Sequence, residues 1–88
     1  MNQDPASVPR YVISVAARLV GVPPHTLRAI ERAGLVQPAR TKGNMRLYSH
    51  ADIELLRRIV ALREQGINLA GIKVILEMQD SPSSKGTS

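Results

Sequence analysis

Three cations fall within seven residues near the middle of the chain, Arg40, Lys42 and Arg46, with no acid among them. Side chains of this kind engage phosphate. The planar arginine fork pairs with two oxygens at once, and lysine adds a compact point charge. Lys42-Gly43-Asn44 holds the residue types that tolerate a tight turn. Leu47 and Tyr48 follow as apolar anchors, and Ser49 has the chemistry of a helix cap. A basic hairpin pinned between helical units reads as a wing laid against a phosphate backbone. Taken alone, the stretch also fits a solvated surface loop.

Ser49, His50 and Asp52 raise a different possibility, because they include the residue types of a hydrolytic triad. They are nearly contiguous at a helix start, whereas a triad needs three groups converging in space beside an oxyanion hole. Capping accounts for Ser49 and Asp52. His25 and His50 are the only histidines and cysteine is absent, so no metal-ligand spacing arises. Gly43 stands alone and forms no phosphate-cradling loop. The residues predict neither catalysis nor a bound cofactor.

These side chains need elements to hold them. Residues 1–9 read as a flexible leader, and 10–13 as a short extended segment packing Tyr11 or Ile13. Ser14 is the expected N-cap of a first helix, Val15 to Val20, with Val15, Ala16, Leu19 and Val20 near one face and Gly21 past its end. After Val22-Pro23, Pro24 suits the first position of a second helix running to Ala33 and ended by Gly34. Leu27 and Ile30 are its core candidates, while His25, Thr26, Arg28, Ala29 and Arg32 decorate the rest. Two short helices across so short a turn make a helix-turn-helix unit. Its second helix has a basic outer surface of a width that fits the DNA major groove. Val36 and Leu47 are expected to face each other in a small hairpin. Ser49 and Asp52 cap a third helix running to Gln65, with Glu54 and Arg58 paired four residues apart. Asn68 caps a fourth, Leu69 to Gln79. Residues 80–88 are expected to be a disordered tail.

Eighty-eight residues allow one domain with a modest core. Hydrophobic content of 43% suits a globular chain, and with no Trp, no Phe and two Tyr the core must be aliphatic. The fold class is mainly α: a winged helix-turn-helix over residues 10–79, with a β-hairpin wing and a following helix pair. A formal net charge of +5 favours a polyanionic partner, nucleic acid or an anionic membrane surface. No apolar run reaches the length of a membrane span, and the N-terminus lacks a signal-peptide pattern. The expectation is a cytoplasmic protein that binds double-stranded DNA, with no membrane partner. A protein-interaction module such as an anti-repressor, or an excisionase-like architectural protein, shares the same outline.

The order helix-turn-helix, wing and helix pair resembles the MerR family of winged-helix transcription regulators. The resemblance covers residues 11–78. It is carried by Gly21-Val-Pro-Pro-His-Thr-Leu-Arg28, Glu31-Arg-Ala-Gly-Leu-Val-Gln-Pro38, Gly43-Asn-Met-Arg-Leu-Tyr-Ser49 and Gly66-Ile-Asn-Leu-Ala-Gly-Ile72. Tyr11-Val-Ile-Ser-Val-Ala-Ala17 looks most like the HspR-type heat-shock repressors. Gln37 to Asn44 and Asn68 to Lys73 also look like the GlnR/TnrA nitrogen regulators.

The resemblance implies a bacterial, nucleoid-associated repressor of stress genes. His25, Thr26 and Arg28 would meet the major groove or its phosphates. Arg40, Lys42, Asn44 and Arg46 would form the wing, with Arg46 on the backbone. Tyr48 would brace the wing and touch a phosphate, and Asn68 would lie at a second wing. Ser14 and Arg32 complete the candidate DNA-binding set. It also implies a homodimer or cooperative assembly on DNA, and a chaperone co-repressor. Two departures stand out. The family often has a Ser-like cap at position 23 and aromatics at 29 and 30, where this chain has Pro23, Ala29 and Ile30. Nor do heptads follow Gln79 to continue into the family's long dimerisation helix.

Overall fold

The computed structural model describes residues 5–80. A single 3-10 turn, Pro5–Ser7, leads into β1, Pro9–Tyr11. Helix α1 covers Ile13–Val20 and α2 covers Pro24–Arg32. Strands β2, Ala39–Arg40, and β3, Arg46–Ser49, precede α3, His50–Glu64, and α4, Leu69–Asp80. The mainly helical winged architecture is the expected one, with a three-stranded antiparallel sheet in the order β1-β3-β2.

Structure reaches further into the leader than its polar composition suggested. Pro5–Ser7 turns against α3, and Pro9 opens a strand paired to β3 at Ser49. Pro9 lacks an amide donor and therefore suits an edge strand. Residues 1–4 and 81–88 of the expected leader and tail lie outside the described residues. Asp80, placed in the tail, is the last residue of α4.

The first helix starts earlier than expected, and that changes its buried face. Val12 occupies the N-cap position with no side-chain bond, so Ser14 is an exposed residue inside the first turn. The inward stripe is Ile13, Ala16, Ala17 and Val20, at the three- and four-residue spacing of one helix face. Ala16 and Ala17 are buried, while Val15 and Leu19 are 38% and 41% exposed. Small alanines let α1 lie close to its neighbours α2 and α3. Gly21 ends the helix at φ 89°, where a residue with a Cβ would be strained, and donates to the Ala17 carbonyl.

Pro24 sits in the first turn of α2, as its missing amide requires. The core is aliphatic around Leu27, Ile30, Ile53, Leu56, Ile59 and Ile72, each at most 1% exposed, with Tyr48 as its one aromatic among the described residues. The capping box of α3 is complete: the Asp52 amide donates to Ser49 Oγ at 3.0 Å, and the Ser49 amide donates to Asp52 Oδ2 at 2.9 Å. Asn68 caps α4 by accepting from the Gly71 amide at 2.8 Å. Glu54, however, pairs with Arg57 and not with Arg58. Arg58 reaches across to Gln79 on α4.

Candidate nucleic-acid interface

The outer face of α2 is built by helical spacing alone. His25, Arg28 and Arg32 follow at i, i+3 and i+7, so they share one side, and all three are exposed. The opposite side buries Leu27 and Ile30. Thr26 falls on the buried side at 9% exposure, so its side chain is turned away from any ligand on the outer face. That removes it from the expected set. Helical spacing accounts for this, since Thr26 lies four residues before the buried Ile30 and shares its face.

The wing is a two-stranded ribbon. Ala39 pairs with Leu47 and Arg40 with Arg46, so Leu47 faces Ala39 and not Val36. Val36 instead joins the core. The turn closes with the Thr41 amide donating to the Met45 carbonyl and the Asn44 amide to the Thr41 carbonyl, both at 2.9 Å. Asn44 takes the left-handed conformation at φ 67°, which asparagine tolerates well. Thr41 Oγ1 accepts from the Met45 amide at 3.1 Å. Lys42 and Asn44 stand exposed at the tip.

One residue that the sequence left without a role organises the wing. Glu31, on the last turn of α2, accepts from Arg40 Nη2 at 3.0 Å and from Arg46 Nε at 2.5 Å. Arg40 also donates to the Asn44 carbonyl at 3.1 Å. Partial burial pushes the Glu31 carboxyl upward, but the hydrogen bonds and charges of Arg46 and Arg40 outweigh it and hold the group below its usual range. The Arg46 guanidinium is correspondingly raised, first through the same hydrogen bond. A signal for this was present: Glu31 is the single acid between Pro5 and Ala51, among seven basic side chains.

Tyr48 lies behind the ribbon and is fully buried. Its side chain is packed in the core, so its hydroxyl is shielded from any phosphate outside and the expected phosphate contact is not made from this position. Among the described residues that hydroxyl has no hydrogen-bond partner. Burial, then the Glu31 charge, raises its pKa above the usual tyrosine value. Ser14 and Asn68 both present exposed positions, the former at the start of α1 and the latter as the α4 cap. Arg18 is also exposed on α1. No cluster of three metal-ligating side chains occurs among the described residues. No helix among them is long and apolar enough to cross a membrane.

A recognition-type helix with a basic outer face, flanked by a short basic ribbon, defines a winged helix-turn-helix protein. The sequence matches the MerR HTH regulatory proteins over residues 11–79, and the chain belongs to that family. It is 58% identical over 73 residues to the heat shock protein HspR of Streptomyces coelicolor, covering 82% of this chain and 48% of that protein. It is 40% identical over 81 residues to the regulator GlnR of Bacillus cereus, covering 92% of this chain and 63% of GlnR. The chain thus spans between about half and two thirds of these relatives' lengths. Among solved structures, a MerR-family transcriptional regulator from Bacillus cereus superposes with a TM-score of 0.72 at 27% identity, over 88% of this chain and 58% of that one. HiNmlR, a MerR regulator lacking its sensor domain and bound to promoter DNA, gives 0.68 at 27% identity, over 78% and 56%.

Proposed function

We propose that this domain binds double-stranded DNA sequence-specifically and represses heat-shock genes from the bacterial cytoplasm, at the nucleoid. The observation that carries the reading is the exposed His25, Arg28 and Arg32 face of α2, whose last turn is tied through Glu31 to a wing with an exposed tip. The kinship to HspR supplies the heat-shock assignment. In this reading His25 and Arg28 read base edges, and Arg32, Lys42, Asn44 and Ser14 meet phosphates. Asn68 supports a second phosphate contact at the start of α4. Assembly on DNA is as a homodimer or by cooperative loading, with a chaperone as co-repressor.

The test is selection of bound sites from random duplexes, with stoichiometry measured in the same complexes. A palindromic site indicates a two-fold dimer, and direct repeats indicate head-to-tail loading. Arg28→Ala should weaken binding to the selected site by about 1–3 kcal/mol and relax preference at one position. Equal loss on selected and random DNA would reassign Arg28 to phosphate contact. Failure of the unaltered protein to retard any duplex at low salt would refute the DNA-binding reading and favour a protein-interaction module.

A further inference from the structure

Arg40 and Arg46 are direct register partners across β2 and β3. Like charges placed opposite each other on a ribbon repel. Glu31 resolves the repulsion by taking one hydrogen bond from each guanidinium. Its side chain is 21% exposed, Arg46 is 24% exposed and Arg40 37%, so the cluster stands at the surface, within reach of solvent-borne anions. A carboxylate gripping two arginine forks offers them what a phosphodiester would offer. An acid at this place also lowers the attraction of an otherwise uniformly basic stretch for a polyanion.

We propose that Glu31 is a specificity-determining positioning residue, an internal stand-in for DNA phosphate that occupies both wing arginines and restrains sequence-independent grip. The role rests on the DNA-binding reading above. It divides the wing's cations into two kinds. Lys42 at the tip is available to any phosphate, whereas Arg40 and Arg46 are withheld by α2 itself. Because Glu31 belongs to the recognition helix, the same contact sets the angle between that helix and the ribbon. Random DNA must compete with Glu31 for the arginines. An operator that seats α2 in the groove also gains from the preset wing.

The experiment compares the full chain with Glu31→Gln, Glu31→Asp and Glu64→Gln on a selected operator and on a random duplex of equal length, across a salt series. Glu31→Gln keeps the shape but removes the charge. It should bind the random duplex about tenfold more tightly, with the log–log salt slope steepened by about 1–2, since each freed phosphate contact contributes about 0.9. The operator-to-random ratio should fall. Glu31→Asp retains the charge and should keep a near-normal slope. Glu64→Gln makes the same change of net charge on an exposed stretch of α3 and should leave the slope unaltered.

Three results would each overturn the role. One is an equal loss of affinity on both duplexes in Glu31→Gln, which would make Glu31 a structural brace only. Another is a steepened slope in Glu31→Asp as well, which would remove the charge as the cause. The third is reproduction of the effect by Glu64→Gln, which would reduce it to net charge. Thermal melts of all four proteins separate these outcomes from loss of fold. Absence of any binding by the unaltered chain would instead refute the DNA-binding reading, a distinct result.

Discussion

Between Pro5 and Ala51 the chain carries seven basic side chains against one acid, whereas from Asp52 to Ser88 it carries five against five. The two regions also place their arginines differently. On α3, Arg57 donates to Glu54 at 2.8 Å and to the Leu19 carbonyl at 3.3 Å, tying the end of α1 to α3. Arg58 bonds Gln79 and ties α3 to α4. On α2, Arg28 and Arg32 stay exposed, and the nearest acid in sequence, Glu31, is turned to the wing. The contrast shows how one residue type serves two ends. Where acids and carbonyls are available within the fold, arginine joins helices. Where they are withheld, its charge faces outward for a partner.

The sharpest way to break the comparison is to disturb the scaffold beneath both regions. Leu56 is fully buried in α3. Leu56→Ala should cost about 2–5 kcal/mol of stability through lost burial and the cavity left behind. Chemical denaturation measures this, and DNA binding should fail only as the fold is lost. A cost under 1 kcal/mol would mean that the helix pair does not support the basic half.

Tyr48→Phe should act in the opposite direction. Its buried hydroxyl has no partner among the described residues, and an unsatisfied buried polar group costs about 1–3 kcal/mol. Removing it should stabilise the domain by about 1 kcal/mol, leaving operator affinity unchanged. The sign of the pH dependence follows from the raised folded-state pKa. The folded state holds the phenol proton more tightly, so this stability is complete below the unfolded value and is lost as pH rises beyond about 10. Tyr48→Phe should lack that alkaline loss in a pH-dependent melt. A drop in DNA affinity for Tyr48→Phe would restore the phosphate-contact expectation.

The smallest effect should come from Arg57→Ala, and it is the cleanest contrast with Arg28→Ala. Its bonds lie at the surface, where such interactions contribute about 0.5 kcal/mol. Stability should dip by that order while operator affinity holds, the reverse of the Arg28 outcome. If Arg57→Ala weakened DNA binding as Arg28→Ala does, the division between tying and facing arginines would collapse.

The amino-acid sequence determined the parts whose causes are local. Pro24, Gly21 and Gly34 marked the ends of α1 and α2, the Ser49–Asp52 pair marked the start of α3, and Asn68 marked the start of α4. Apolar spacing found Leu27 and Ile30 in the core. Four linked motifs carried the family, because each joins a turn or cap to a fixed interval of helix. What depended on distant residues escaped. The pairing of β1 with β3 rests on residues some forty positions apart, so Pro9 looked like leader and Tyr11 like part of an extended segment with no partner strand. The orientation of Tyr48 is set by a core assembled from several elements. The partnership of Glu31 with Arg40 and Arg46 spans 9 and 15 residues. Only folding the ribbon back onto the end of α2 brings that carboxylate to both guanidiniums. Residue types supplied the wing's charge, and tertiary structure decided which of those charges is free, because an ion pair depends on distance in space and not along the chain.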